Sequence, residues 1–266
     1  MKDIKIIVAT HKKYDFPEDI EMYIPVQSGA ALVNPLGYQC DNEGDNISYK
    51  NLQYNELCPM YWAWKNIKSD YVGLVHYRRY FSKDKFLHED IKDVLNRNKC
   101  EELLENYDII LPRKNKYFVS IETHYLYSYA GNKVLLKDDL KCLRNAINNI
   151  SPEYSGALES VLMSKEAHMY HMCVMKKELY DEYCEFMFGV SFEIEKIRGI
   201  RVPSDRYIGG LTEFLLDVWL KKKNYRYCEL GLVELEHESM IKKVMRVLKR
   251  MLIKDERIWE EKKIGK

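Results

Sequence analysis

The 266-residue sequence lacks several patterns that would assign it directly to a common functional class. It contains no P-loop, which disfavours ATP hydrolysis. It contains no run of about 18 apolar residues, so we expect no membrane span. Residues 1–5 lead straight into a predicted strand, without the apolar core and cleavage site of a signal peptide, so we expect no signal peptide either.

Paired cysteines and excess charge are also lacking. The seven cysteines are scattered and never form a C-x-x-C pair, which favours a reducing cytoplasm and disfavours disulfides and structural zinc. Lys and Arg total 42 against 41 Asp and Glu, so an anion site has to be local and nucleic-acid binding is disfavoured. The 46% hydrophobic content is typical of a globular protein. The length of 266 residues is enough for one large α/β domain.

Residues 70–81 form the most informative stretch that is present. An apolar, β-branched run predicts a buried strand, and His76, Tyr77, Arg78 and Arg79 follow it directly. Open α/β sheets bind ligands beyond the carboxyl ends of their strands, so the two arginines predict an anion site there, best suited to a diphosphate. The alternative is an arginine pair that bridges carboxylates on a solvated strand end, which is just as common.

The rest of the chain alternates predicted strands and helices, which indicates an α/β fold. The first strand, residues 5–10, ends in small and polar residues, where nucleotide-binding α/β domains seat a base or ribose; no G-x-G-x-x-G follows it. Arg113, Lys114 and Lys116 follow a strand at 108–112, at the expected end of the sheet. Further strands are predicted at 24–29, 170–175 and 225–233, and helices at 55–67, 89–98, 138–150, 152–163 and 177–197.

Residues 206–220 form a second informative stretch. Glu213 lies near the start of a predicted helix with an apolar face, and Gly209 and Gly210 before it permit close approach of backbone or ligand. A partly desolvated carboxylate there can serve as a general base. The more common explanation is a glutamate that the helix macrodipole favours.

Two further segments each allow two interpretations. Asp41, Glu43 and Asp45 lie in an acidic loop that could bind a divalent ion, although Asn, Asp and Gly together favour a simple turn. Residues 240–254 alternate basic and apolar side chains, which predicts an amphipathic helix on an anionic lipid surface or docked on the domain.

Several ordered blocks together resemble bacterial capsular polysaccharide and O-antigen glycosyltransferases that carry an HYRRYF signature and were long classed as a domain of unknown function. The blocks are residues 9–12, 45–48, 50–51, 61–66, 71–81, 108–112, 174–177 and 183–184, and the spaced residues Arg206, Gly209, Glu213, Leu215 and Leu216.

The resemblance implies a GT-A-like, Rossmann-type domain with a mixed central sheet over residues 1–238, followed by a basic amphipathic helix within 239–266. It implies transfer of a hexose, with galactose as pyranose or furanose favoured, from a UDP-sugar to a lipid-linked oligosaccharide in capsule, exopolysaccharide or O-antigen synthesis. We expect a cytoplasmic protein, peripheral on the inner face of the membrane through residues 240–254. The alternative is a non-catalytic sugar-nucleotide or glycan-binding protein derived from such a transferase.

The resemblance also implies site residues. Most GT-A enzymes hold a metal with a D-x-D motif after the central strand, but here His76, Tyr77, Arg78 and Arg79 occupy that position. We therefore predict that the arginines stabilise departing UDP without a required cofactor, with Mn²⁺ or Mg²⁺ less favoured, and that Glu213 is the base of an inverting reaction. The predicted donor-binding residues are Ala9, Thr10, His11, Lys12, Asn51, His76, Tyr77, Arg78, Arg79 and Arg206, and the predicted acceptor or sugar contacts are His124, His171, Gly209 and Gly210.

Three positions depart from the family pattern. Phe214 follows Glu213 where Arg is usual, His171 stands where Asn is common, and a His-rich stretch survives only as His124. The missing Arg after Glu213 and the reduced His-rich stretch are the main support for the non-catalytic alternative.

Overall fold

The computed structural model describes residues 2–128, 133–199 and 207–236. The helices and strands described below fall within Met1–Glu234, which forms one unit by its internal contacts. Arg206, the basic segment 240–254 and the expected boundary between residues 238 and 239 lie outside the described residues. Across the described part, no helix combines the length and the apolar character needed to cross a bilayer.

The elements alternate along the chain as an α/β pattern requires. The strands are β1 Ile4–Thr10, β2 Tyr23–Gln27, β3 Gln39–Cys40, β4 Tyr71–His76, β5 Arg79–Phe81, β6 Ile109–Pro112, β7 Asn115–Lys116, β8 Glu166–Ala167, β9 Cys173–Lys176, β10 Tyr227–Leu230 and β11 Leu232–Glu234. The α-helices are α1 Asn51–Tyr54, α2 Leu57–Asn66, α3 Arg97–Asn106, α4 Ile121–Ser128, α5 Lys133–Ile150, α6 Ser155–Met163, α7 Lys177–Arg198, α8 Tyr207–Thr212 and α9 Leu215–Leu220. Short 3₁₀ helices occur at Ser48–Lys50, Ile91–Asp93 and Pro152–Tyr154.

The central sheet is mixed, as predicted. Its strand order is β10-β6-β9-β4-β1-β2-β3, and β5 joins it by pairing with β4 and β11. Strand β1 lies parallel to both β2 and β4, whereas β9 runs antiparallel to β4 and β6. The carboxyl ends of β1, β4 and β6 therefore meet at one edge of the sheet. Strands β7 and β8 form a separate two-stranded sheet.

Strands β1 and β4 lie at the centre because their side chains are apolar on both faces. Every residue of β1 except Lys5 is buried, and so is every residue of β4 except His76. A strand that is buried on both faces needs helices on each side of the sheet. Helices α2, α5, α7 and α9 contribute to the same hydrophobic core, in which Trp219 of α9 is fully buried.

Gly73 allows β4 and β9 to approach each other closely. An added Cβ at this position would lie 2.7 Å from the carbonyl oxygen of Cys173 and 2.8 Å from Cγ2 of Val174. The carbonyl belongs to the backbone of a central strand, so it cannot move aside at low cost.

Several predicted elements have different limits in the structure. The helix expected at 55–67 is α2, Leu57–Asn66, and Asn55, with a φ of 50°, separates it from the short helix α1. The helix expected at 89–98 is wrong over most of its length, because α3 begins at Arg97, where the side chain of Asn96 caps the amide of Lys99 at 3.0 Å. The helix expected within 206–220 breaks into α8 and α9, and the strand expected at 225–233 breaks at Gly231 into β10 and β11.

Helix α7 agrees closely with its prediction. It was expected at 177–197 and spans Lys177–Arg198, and it ends where Gly199 adopts a φ of 70°. Glycine tolerates this left-handed conformation without a steric penalty, which makes it a common helix terminator.

We expect Gly73→Ala to lower the free energy of unfolding by about 2 kcal/mol, because the added methyl group overpacks the contact between β4 and β9. Gly156→Ala is the matched control, since Gly156 lies on the exposed face of α6 with nothing within 4 Å of an added Cβ. The control should stabilise the protein by about 0.5 kcal/mol. Urea denaturation measures both, and equal stabilities for the two variants would contradict the close approach.

Candidate functional site

Many of the predicted site residues meet in a cavity at the carboxyl ends of β1 and β4. Its volume is about 570 Å³, within the usual range of small-molecule sites. It is lined by Ala9, Thr10, His11, Ser28, Asn51, Asn55, Glu56, His76, Tyr77, Arg78, Arg79, Tyr170 and Glu213. We call this the strand-end cavity.

The ends of β1 and β4 are tied together at its base. The amide of Tyr77 donates to the carbonyl of Ala9 over 3.1 Å, which extends the parallel pairing by one bond. The hydroxyl of Thr10 donates to the carbonyl of Lys12 over 2.6 Å, so the chain turns as it leaves β1. The ammonium of Lys12 then lies 4.9 Å from the centre of the Tyr77 ring, close enough for a cation–π contact.

The two arginines have different environments. Nε of Arg79 donates to Glu234 over 3.0 Å, and its guanidinium lies 4.0 Å from the centre of the Tyr170 ring. Arg78 is exposed, with its guanidinium 5.7 Å from the centre of the Tyr77 ring. Arg79 therefore forms the ion pair with a carboxylate that the sequence allowed as the alternative to an anion site. The ion pair and the stacked ring orient Arg79 in the cavity wall.

His76 connects this wall to the segment before β9. Its Nε2 donates to the carbonyl of Tyr170 over 2.8 Å. Desolvation lowers the pKa of His76, and the nearby charge of Glu56 partly offsets that effect. A lowered pKa keeps the ring neutral near neutral pH, so the positive charge of the cavity comes from the arginines.

Unusual backbone conformations cluster around the strand-end cavity. Among the described non-glycine residues, a positive φ occurs at Asn55 (50°), Tyr170 (75°) and His171 (54°). Asn adopts this region readily, but Tyr and His do so less often, and such residues concentrate at functional sites. Hydrogen bonds hold the segment: Asn115 donates to the Tyr170 hydroxyl over 3.0 Å, and Nε2 of His171 donates to the carbonyl of Gly209 over 3.2 Å.

Tyr170 and His171 also explain where β9 begins. The strand was expected at 170–175, and it begins only at Cys173 because Tyr170 and His171 are left-handed rather than extended.

A polar network stabilises the opposite side of the cavity. Nδ2 of Asn51 donates to the hydroxyl of Ser28 over 2.6 Å and to the carbonyl of Asn55 over 3.0 Å. Ser28 itself donates to the same carbonyl over 3.0 Å. Gly29 next to it has a φ of 71°, and an added Cβ would lie 2.7 Å from Cγ of Asn51. The network holds the left-handed Asn55 in place beside Glu56.

Glu213 lies in the turn between α8 and α9 and lines two cavities. The second, which we call the aromatic cavity, has a volume of about 90 Å³. It is lined by Tyr117, Ile121, His124, Tyr125, Met169, Gly210, Glu213 and Phe214. The ring centres of Tyr117 and His124 lie 4.1 Å apart at an interplanar angle of 36°.

Burial keeps the rings of Tyr117 and His124 in the aromatic cavity neutral. Burial raises the pKa of Tyr117 to about 12, and the charge of Glu213 contributes to that rise. Burial also lowers the pKa of His124. Two neutral rings beside one carboxylate make a surface suited to a polar, uncharged ligand.

The predicted sugar-contact residues divide into two pairs. His124 and Gly210 line the aromatic cavity. His171 and Gly209 are buried, and neither lines the two cavities. An added Cβ at Gly209 would lie 3.2 Å from Nδ2 of Asn55, so this glycine serves the packing of α8 on α1.

The acidic loop forms a turn away from both cavities. Asp41 is fully buried and accepts bonds from the amides of Gly29 and Ala30 and from the hydroxyl of Ser48. Desolvation raises its pKa, although these bonds act in the opposite direction. Glu43 accepts from Gln39 over 2.8 Å.

Asp45 accepts from the hydroxyl of Tyr61 over 3.3 Å, so it too has its own partner. The part of the chain that the structure describes contains no cluster of three His, Cys, Asp or Glu side chains able to hold a metal ion.

The basic residues after β6 lie at the expected edge of the sheet but do not line the strand-end cavity. Arg113 donates to the carbonyl of Lys85 over 3.2 Å, and Lys114 lies 3.7 Å from Glu166. They therefore add no direct ligand contact to Arg78 and Arg79.

Comparison with known proteins identifies the family. The model of a domain of unknown function, DUF4422, matches residues 5–225. The chain belongs to the DUF4422 family. A solved structure of the bifunctional glycosyltransferase WbbM in its apo form matches with a TM-score of 0.79 and 26% sequence identity, over 89% of this chain and 46% of WbbM. This chain thus spans about half the length of WbbM. The curated proteins contain no significant match.

The match to a glycosyltransferase structure agrees with the predicted GT-A-like α/β class of this DUF4422 chain. In this chain the antiparallel strand β9 lies between the parallel strands β4 and β6.

Sequence reasoning missed four residues that line the strand-end cavity: Ser28, Asn55, Glu56 and Tyr170. Asn55 offered a signal, because Asn is the side chain that best tolerates a left-handed break in an otherwise helical pattern. Glu56 reaches the cavity only because the chain breaks there. Tyr170 offered no signal, since its conformation depends on contacts with Asn115 and His76.

We expect His171→Asn to flatten the pH dependence of stability in this DUF4422 protein. Desolvation lowers the pKa of His171, and its buried Nδ1 has no hydrogen-bond partner. Protonation is therefore harder in the folded state, and stability is lost as pH falls below the unfolded value of about 6.5. Asn suits the left-handed φ and does not titrate.

Urea denaturation at about pH 7.5 and about pH 5 tests this expectation. The variant should lose less unfolding free energy between the two values than the unsubstituted protein. An equal loss would contradict a buried, neutral His171.

Proposed function

We propose that this chain is a glycosyltransferase that moves a hexose from a UDP-sugar to a lipid-linked oligosaccharide. The observation that carries the proposal is the strand-end cavity, in which two arginines and the carboxylates of Glu56 and Glu213 meet at the carboxyl edge of the sheet. The fold of this chain is similar to that of a protein described as a glycosyltransferase, which supports the same conclusion.

The donor occupies the strand-end cavity. The end of β1, with Ala9, Thr10 and His11, faces the base and ribose, since nucleotides bind at this edge of open α/β sheets. Arg78 supplies charge-assisted hydrogen bonds to the diphosphate, and its fork matches phosphate oxygens. Arg79, oriented by Glu234 and Tyr170, adds a second positive charge.

The arginines replace a metal in this proposal, and no cofactor is required. The position that follows the central strand carries His76 and two arginines. The carboxylates of the acidic loop are engaged by their own partners: Asp41 by two amides and a hydroxyl, and Glu43 by Gln39. Mn²⁺ or Mg²⁺ is the less favoured alternative.

The transfer is inverting, with Glu213 as general base. The acceptor hydroxyl attacks the anomeric carbon while the bond from that carbon to the β-phosphate oxygen breaks. UDP leaves with the bonding electron pair, and Glu213 takes the hydroxyl proton. Arg78 and Arg79 stabilise the negative charge that develops on the leaving diphosphate.

The acceptor sugar enters the aromatic cavity. Because Glu213 lines both cavities, a hydroxyl in the aromatic cavity and a sugar in the strand-end cavity would meet at that carboxylate. The rings of Tyr117 and His124 offer the acceptor sugar a stacking surface.

The proposed setting is capsule, exopolysaccharide or O-antigen synthesis, with a galactosyl donor in pyranose or furanose form favoured. The enzyme would act in the cytoplasm at the inner face of the membrane, held there by the basic segment 240–254. The sequence resemblance supports this part of the proposal.

UDP should raise the melting temperature of the full chain by about 5 °C or more at about a hundredfold excess over its dissociation constant. The shift should persist in EDTA, because arginines rather than a metal contact the diphosphate. GDP and CMP serve as controls for the base. A shift that requires Mn²⁺ or Mg²⁺ would contradict the arginine proposal, and no shift with any nucleotide would contradict the transferase proposal.

Arg78→Ala and Glu213→Gln should each lower the turnover of UDP-galactose by about a hundredfold or more. Arg113→Ala is the matched control for the arginine, because it also follows a strand at this edge but lies outside the cavity. Glu153→Gln, on the exposed surface, is the control for the glutamate. Radiolabelled transfer measures all four, and near-normal turnover in either cavity variant would contradict that residue's role.

The alternative is a non-catalytic sugar-nucleotide or glycan-binding protein. The thermal shift and the transfer assay together separate this alternative from a transferase. A binding protein would show the shift in melting temperature with UDP, but neither sugar transfer nor slow hydrolysis of the donor. Phe214 in place of Arg after Glu213 favours this alternative.

A further inference from the structure

Exposed apolar side chains cluster beside the aromatic cavity. Phe118 is fully exposed, at 101% of its reference area, and Val119 and Met163 are 42% and 67% exposed. Large apolar side chains that project together into water are unusual on a soluble surface and generally mark an interaction site.

Two backbone hydrogen bonds join residues 117–121, which include Phe118 and Val119, to residues 164–165, which follow Met163. The amide of Tyr117 donates to the carbonyl of Lys165 over 2.8 Å, and the amide of Ile121 donates to the carbonyl of Ser164 over 2.8 Å. These bonds extend the pairing of β7 with β8 and place Phe118 and Val119 next to the end of α6. We call the exposed residues Lys116, Phe118, Val119, Met163 and Lys165, together with the partly exposed Lys114, the β7–β8 tip.

The charge around these apolar side chains is positive. Lys116 and Lys165 are exposed, and Lys114 is partly exposed. Opposite Lys116 in the β7–β8 register is Glu166, which also lies 3.7 Å from Lys114. Three lysines against one glutamate leave an excess of positive charge around a projecting phenylalanine.

We propose that the β7–β8 tip binds the surface of an anionic lipid bilayer. An aromatic side chain that projects beyond its backbone can enter the headgroup boundary, while flanking lysines attract anionic lipid. A protein partner would instead require a broad complementary patch, whereas the exposed apolar groups here are the three side chains of Phe118, Val119 and Met163. The charge complementarity therefore favours the bilayer.

The position of the tip gives this surface a role. Tyr117, which lines the aromatic cavity, immediately precedes Phe118. A bilayer at the tip would therefore lie beside the entrance for a lipid-linked acceptor. This role rests on the proposed function, but binding of the tip to lipid does not, since it needs neither donor nor acceptor.

The test is sedimentation of the full chain with vesicles of phosphatidylethanolamine and phosphatidylglycerol, with phosphatidylcholine vesicles as the uncharged comparison. Phe118→Ser should weaken binding to the anionic vesicles by about tenfold or more, because one buried aromatic side chain is lost. Lys116→Glu should weaken it by about fivefold or more.

Two control variants match these changes at other exposed positions. Ile20→Ser removes an apolar side chain that is 74% exposed, between the acidic residues Asp19 and Glu21 near the start of β2. Lys68→Glu reverses an exposed charge just before β4. Neither should change binding. The far-UV circular dichroism spectrum and the melting temperature should be the same in every variant as in the unsubstituted protein, which shows that each one folds.

A further variant, Lys249→Glu, tests separately whether the basic segment 240–254 contributes to vesicle binding. Weaker binding of Phe118→Ser and Lys116→Glu to anionic vesicles supports the proposal. This holds even if Lys249→Glu also binds more weakly, because the two regions can both contribute. Binding of Phe118→Ser and Lys116→Glu at the level of the unsubstituted protein would overturn it, and so would equal binding of the unsubstituted protein to anionic and uncharged vesicles. Failure of sugar transfer with intact vesicle binding would count against the proposed function alone.

Discussion

The parallel pairing of β1 with β4 is the interaction on which the candidate site depends. Both strands are buried on both faces, so their register is held by the core. The bond from Tyr77 to Ala9 carries that register past the sheet edge, where Thr10 and His11 meet Arg78 and Arg79. A rigid sheet thereby positions side chains that are far apart in sequence around one cavity.

The irregular backbone around this rigid base completes the cavity. Asn55 and Tyr170 adopt left-handed conformations on different sides of it. Each is held by several hydrogen bonds, which offset the conformational cost. Tyr170 then supports Arg79 by stacking, and the break at Asn55 brings Glu56 to the cavity wall. The strained segments therefore help to shape the site.

Apolar periodicity predicted the elements of the core well. The limits of α7 and the α/β class followed from the sequence, because a hydrophobic pattern directly reflects burial, and the family resemblance predicted that the sheet is mixed. The start of β9 did not follow, because contacts distant in sequence hold Tyr170 and His171 in left-handed conformations. The exposed face of the β7–β8 tip was not visible either, since the apolar residues Phe118 and Val119 give no indication of exposure in a linear sequence.

The sequence by itself determined which residues could form an anion site, because two arginines directly after a buried strand must lie at its carboxyl end. It also identified Glu213 as a candidate carboxylate. Only the tertiary structure decided that Arg79 is paired with Glu234 and that Asp41 belongs to a turn. It also placed Glu213 between two cavities. The reason is physical: strand and helix propensities are local, whereas the partner of a charge depends on which distant segments the core packs together.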